Sequence, residues 1–258
     1  MRKLFIISVF LSWQLKADSQ IPTEMVNIKG GTYVPLYGVK SASVSIENFS
    51  LDVYPVTNDQ YLAFIEKYPK WRRDKVIRLF ADDNYLSNWQ SDSNYPLNIS
   101  GKVPVNSISW YAAKAYCECQ GKRLPTTDEW EYAAMADETR RDAREDSLYS
   151  QRILAGYEAP RTNRLEIGST FKNIWGVYDL HGLVWEWTFD FNSVLISGES
   201  RKDVDTDRNL FCAAGSVGAT DLMNYAAFMR YAFRGSLKAN YSVRNLGFRC
   251  ARDSELVD

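Results

Sequence analysis

Residues able to do chemistry are concentrated in two sets. The first is the stretch VYDLHGLVWEW, Val177 to Trp187, which places Asp179, His181 and Glu186 among two tryptophans, a tyrosine and aliphatics. His181 is the only histidine of the chain. An unpaired carboxylate is very costly to bury, so acids in so apolar a segment must be paired, ligated or turned to water. The second set is sulfur: Cys117, Cys119, Cys212 and Cys250. An even count in an oxidising compartment favours disulfides, and four cysteines allow three pairings. Cys117 and Cys119 are two apart, and on a helix such neighbours point to different faces, which places them poorly for chelating one metal together. A shared Cu(I) site is the metal use that stays open for them.

The elements that must position these residues are short. The chain has 258 residues, 45% of them hydrophobic, enough to bury a sizeable core. Lys and Arg total 31 against 32 Asp and Glu, a net charge of -1, which gives no electrostatic case for nucleic acid or an anionic membrane. The opening MRKLFIISVFLSWQLKADSQ has a basic start at Arg2 and Lys3, an apolar run from Leu4 to Leu11 and a cleavage-like Leu15-Lys16-Ala17. Residues 1–17 therefore read as a signal peptide, followed by one domain over 18–258. The apolar run is too short to span a bilayer, which points to a secreted or periplasmic soluble protein. Gly30-Gly31 marks a turn between strand-like runs, and SVSIENFSLDVYPV alternates as an extended, half-buried segment. Three helix starts are legible. Thr57 with Gln60 and Thr126 with Glu129 form capping boxes, and Ser109 caps WYAAKAYCECQ, which stops at Gly121. Residues 140–164 are charged and weakly periodic, an expected surface excursion.

Several blocks in this order, VNIKGGTY, YPVTNDQYLAFI, PVNSISWYAAKAYC, GKRLPTTDEWEYAA, GVYDLHGLVWEW and NLGFRCAR, resemble the formylglycine-generating enzyme (sulfatase-modifying factor) family. That superfamily also holds the ergothioneine-synthase C-terminal domain and the pyoverdine-maturation protein PvdO. The resemblance implies an α+β fold related to C-type lectins, with little regular secondary structure. It also implies a structural calcium in the Val177–Trp187 loop, with side-chain oxygens from Asp179 and Glu186 and backbone carbonyls from Gly182 and Val184. The alternative is a core turn in which Asp179 caps backbone and Glu186 pairs with an arginine. His181 is expected at the surface or behind a ligand, with no role of its own. Where the family commonly has asparagine after the glycine, this chain has Leu183. A second calcium loop finds no match between Ser147 and Thr170. The resemblance further implies a Cys117–Cys250 disulfide, leaving Cys119 and Cys212 to pair or remain thiols.

The family's oxidases hold Cu(I) between two thiolates, and no other residue type supplies such ligands. Here no cysteine lies between Cys212 and Cys250; the nearest positions, around Ala219 and Asn224, cannot bind copper. No Cu(I) and no formylglycine generation are therefore expected. The iron site of the sulfoxide synthases needs several histidines, which one His181 cannot supply. GLVWEWTFDFNSVLISGESR and NYAAFMRYAFRGSLKA also resemble accessory proteins encoded with copper nitrite reductases. The reading is thus an accessory or maturation factor, expected as a monomer, that recognises a periplasmic protein or peptide. An oxidoreductase of the PvdO type is the alternative, with Asp221, Arg230 and Tyr231 as candidates; nothing in their spacing is specific, and the ordinary reading of them is as surface residues. A lectin-like ligand-binding module is the third. An aromatic groove beside Ser216 to Arg234 would favour binding; polar groups converging on a metal there would favour an enzyme.

Overall fold

A computed structural model describes residues 23–36, 43–158, 165–192 and 222–254. The expected signal peptide, Cys212, Ala219 and Asp221 lie outside these residues. Strand β1 (Met25–Ile28) and strand β2 (Gly31–Tyr33) flank the turn read at Gly30-Gly31, yet they do not form a hairpin. β1 pairs antiparallel with β4 (Phe49–Asp52), while β2 pairs with β3 (Val44–Ile46). Gly30 permits this divergence, because a Cβ there would lie 2.1 Å from the Ile46 carbonyl oxygen. β4 is central in a three-stranded antiparallel sheet, with β1 on one side and the distant β7 (Ala251–Asp253) on the other.

The three helix starts appear where local chemistry places them. In α1 (Asn58–Lys67) and α3 (Thr127–Ala134) both halves of the capping boxes are made, and Ser109 accepts from the Ala112 N–H at the start of α2 (Trp110–Glu118). Gly121 ends that segment in the left-handed region, at φ +67. Two helices depart from the expectation. Residues 147–158 form α4 (Ser147–Glu158) rather than a surface excursion, and α5 (Leu222–Gly235) packs against it. The face of α5 that turns inward carries Ala226, Arg230 and Arg234 at four-residue spacing. The helix is strongly amphipathic, but arginines lie on its buried side, where an apolar stripe is expected.

The main core gathers α1 and α2 around Tyr61, Tyr116 and Phe248. A second cluster packs β1, β4 and α3 against Val177 and Leu180. Cys117 and Cys250, both fully buried, form the disulfide implied by the resemblance, 133 residues apart with a Cα–Cα distance of 5.6 Å. Cys119, two residues on, is half-buried and outside that bond, as helical geometry requires. A short parallel pair, β5 (Trp185–Glu186) with β6 (Leu246–Gly247), joins the opening loop to the C-terminal segment. Among the described residues no helix is long and apolar enough to cross a membrane.

Candidate functional site

The Val177–Trp187 loop turns twice through left-handed backbone, at Asp179 (φ +61) and Gly182 (φ +91). Asp179 is fully buried, and its carboxylate accepts from the Gly168 N–H at 2.5 Å and from the Thr170 N–H and hydroxyl at 2.9 Å each. Glu186 meets Arg249: Nε donates to Oε2 and Nη2 to Oε1, both at 2.8 Å, and the Trp130 indole N–H donates to Oε2 at 2.8 Å. Both parts of the turn reading are thus present. Arg249 is wholly buried, and its five N–H groups find five acceptors, the two Glu186 oxygens and the carbonyls of Asp52, Val53 and Tyr178. Beside it, Lys122 donates to Asp52 at 2.6 Å. Burial raises the Asp52 pKa, and Lys122 opposes that rise.

The same loop retains features that fit a hard cation. The buried Asp179 carboxyl is answered by hydrogen bonds, and no ion pair reaches it among the described residues. The Gly182 and Val184 carbonyls receive no hydrogen bond among those residues. Oε1 of Glu186 accepts one bond, from Arg249, and has acceptor capacity left. Among the described residues no three His, Cys, Asp or Glu side chains are grouped as metal ligands, so a cation here would rest on these two carboxylates and backbone carbonyls.

His181 is not at the surface. It is 4% exposed; its Nε2 donates to the Ala134 carbonyl at 2.9 Å, and the Tyr157 hydroxyl donates to Nδ1 at 3.2 Å. Burial, reinforced by the Arg230 charge, pushes its pKa down to about 3, so the imidazole is neutral.

Arg230 and Tyr231 are likewise buried, which removes the surface role weighed for them. Arg230 grips Glu131 through Nε (2.9 Å) and Nη2 (2.7 Å), and Arg234 reaches the same carboxylate at 2.7 Å. Both guanidiniums lie over the Trp130 ring. Burial raises the Glu131 pKa, but the two arginines outweigh it and bring it to about 2.

Beside this cluster an aromatic wall forms that sequence spacing did not reveal. Half-buried Trp185 packs on Phe233 with centroids 4.8 Å apart and on Tyr157 at 4.9 Å. The Trp185 N–H donates to the Asn245 carbonyl at 2.8 Å. Asn245 itself is left-handed, at φ +70, and its buried Oδ1 lacks a partner, as does the buried hydroxyl of Ser242. Strained backbone and orphaned polar atoms commonly mark functional surface. An open cleft of about 1210 Å³ between β1, β3 and the start of α3 is less promising. Its Arg123 is spent on Glu129 and Asp253, its Asp128 on the Tyr33 hydroxyl, and its Asp190 on the Thr127 N–H.

Residues 13–254 match the sulfatase-modifying factor enzyme 1-like domain. The formylglycine-generating enzyme of Streptomyces coelicolor is 35% identical over 259 residues, covering 81% of this chain and 81% of the relative. The inactive C-alpha-formylglycine-generating enzyme 2 of Bos taurus is 27% identical, covering 81% and 78%. The structure of PvdO from Pseudomonas aeruginosa superposes with a TM-score of 0.53 at 17% identity, over 92% of this chain and 97% of that one. The fold agrees with the structural match, and the chain belongs to the sulfatase-modifying factor enzyme 1-like family.

Proposed function

We propose that this chain is a member of the family that does not generate formylglycine and serves as an accessory or maturation factor for a protein partner. The observation that carries this reading is the sequence between Cys212 and Cys250, which holds no cysteine and so no thiolate pair for Cu(I). The surface that takes the partner is the Tyr157–Trp185–Phe233 wall. Its aromatic faces supply apolar contact area to a peptide, and the Asn245 carbonyl holds the Trp185 backbone in place. The oxidoreductase alternative draws no support from Arg230, which is committed to Glu131. The secretion-signal-like start supports a periplasmic setting for this reading, and the resemblance to nitrite-reductase-associated proteins makes a copper enzyme the partner to try first.

Two measurements test this. A CxPxR peptide incubated with the protein, with and without Cu(I), should yield no formylglycine; turnover above a heat-killed control would refute the assignment. Affinity capture from periplasm, read by mass spectrometry, should recover a partner that Trp185→Ala and Asn245→Ala lose and that the exposed control Arg78→Ala keeps. Equal recovery by all variants would remove the aromatic wall from consideration. A covalent change in the captured partner would instead favour an enzyme.

We also propose that calcium is held by Asp179, Glu186 and the Gly182 and Val184 carbonyls. Chelation should lower the melting temperature by several degrees, because a ligand bound only to the native state adds RT ln(1 + [L]/Kd). Asp179→Ala should abolish that response, and Glu24→Ala should not. An unchanged wild-type melt with no calcium by elemental analysis would leave the loop to its hydrogen bonds.

A further inference from the structure

The open cleft beside β3 has engaged side chains but a free backbone edge. β3 pairs with β2 on one side only. Residues 44–48 line the cleft consecutively. The face of a sheet contributes alternate residues, so an unbroken run means that the cleft meets this strand at its edge. Backbone groups on that edge find no backbone partner among the described residues.

The surroundings give the opening the shape of a strand. The β1–β4 and β2–β3 pairs keep one register, with Ile28 opposite Phe49 and Gly31 opposite Ile46, so β3 and β4 are successive parts of one strand. β7 lies antiparallel beside the β4 part, with Asp253 opposite Phe49. The line of β7 prolonged past Ser254 therefore runs along β3. Thr126 at the start of α3 walls the far side, with Arg123, whose backbone bridges Ala251 of β7. A strand residue fills about 160 Å³, from the rise and the spacings between strands and sheets. The 1210 Å³ of the cleft thus takes a short extended segment.

The charge of the cleft is selective. Asp128 also bears on Tyr231 beside the arginine cluster. Of the other charged side chains that line the cleft, four are carboxylates and three are cations. Arg123 is shared by Glu129 and Asp253, while Glu47 and Asp190, like Lys29 and Arg252, form no ion pair among the described residues.

We propose that this slot binds an extended segment of a partner protein, added as a strand antiparallel to β3 and in line with β7, and that the segment carries a lysine or arginine. Hydrogen bonds to the edge supply affinity, and the surplus carboxylate selects the basic side chain. That the occupant is another protein rests on the partner reading above; the slot makes no use of the aromatic wall.

The probe is a blocked, fluorescent hexapeptide of alternating threonine and valine with one central lysine, titrated into the full-length protein and followed by anisotropy. It should bind saturably, slow amide exchange at residues 44–46, and lose about tenfold in affinity when glutamate replaces the lysine. N-methylation of alternate peptide amides should cost about tenfold or more in one of the two registers, because an added strand turns every second N–H toward its neighbour. Asp190→Asn keeps an oxygen for the Thr127 N–H and should shrink the preference for lysine. Trp185→Ala should bind as the wild type does, so failure here is distinct from failure of partner capture. No binding, protection away from β3, or equal binding by the parent and both N-methylated registers would overturn the proposal. So would binding only by a chain ending at Ser254, which gives the slot to the protein's own last residues, or a dimer that the peptide dissolves, which gives it to a second copy.

Discussion

At the scale of residues, the central pair is Glu186 with Arg249. Arg249→Met leaves Glu186 buried beside an indole N–H with no counter-charge, which should cost about 3–5 kcal/mol in denaturant unfolding. Replacing both, as Glu186→Leu with Arg249→Met, should cost less than Arg249→Met alone, because no charge is stranded. His181 gives a second test. A base whose native pKa is depressed binds its proton only after unfolding, so its contribution is present at neutral pH and is lost as pH falls from its ordinary 6.5 toward about 3. Glu131, depressed from 4.5 to about 2, acts only below that first value. Between pH 6.5 and 4.5 the decline therefore belongs to His181 within this pair, with a slope of up to about 1.4 kcal/mol per pH unit for one proton. His181→Asn should flatten that part of the stability profile; an unchanged slope would mean the imidazole is solvated. The sequence could say that Glu186 needed a partner, but not that it lay 63 residues away. Pairing across such a distance leaves no trace in local spacing.

Among the elements, legibility follows range. Thr57, Ser109 and Thr126 could be placed because a cap is settled within three residues, and Thr126→Ala should cost about 1 kcal/mol, seen as a lower urea midpoint with unchanged slope. Helices α4 and α5 were missed for different reasons. α4 buries only Tyr149, Ser150 and Ile153 and is weakly amphipathic, whereas α5 is clearly amphipathic but turns its arginines inward, against the usual reading of such a face. The Gly30-Gly31 turn was legible but the pairing of its strands was not, because β1 and β2 choose partners by packing. The disulfide belongs to this scale too, tying α2 to the segment before β7. Non-reducing peptide mapping should recover Cys117 joined to Cys250, and Cys117→Ser with Cys250→Ser should lose about 2–5 kcal/mol.

Over the whole molecule, the aromatic wall was invisible in advance because it is assembled from α4, β5, α5 and the loop before β6. The family resemblance, by contrast, was carried by short blocks that each keep a local job. Those blocks meet at the C-terminal segment: β7 completes the sheet on β4, Arg249 fills the acceptors left by three earlier stretches, and Cys250 closes the bond to α2. The order of synthesis gives this arrangement a consequence. A nascent chain released up to residue 240 has its early helices but neither the third strand of its sheet nor the guanidinium that neutralises Glu186. Contacts of such sequence separation form late and slowly. A chain cut short before NLGFRCAR therefore lacks the third strand, the Glu186 counter-charge and the tie to α2 all at once.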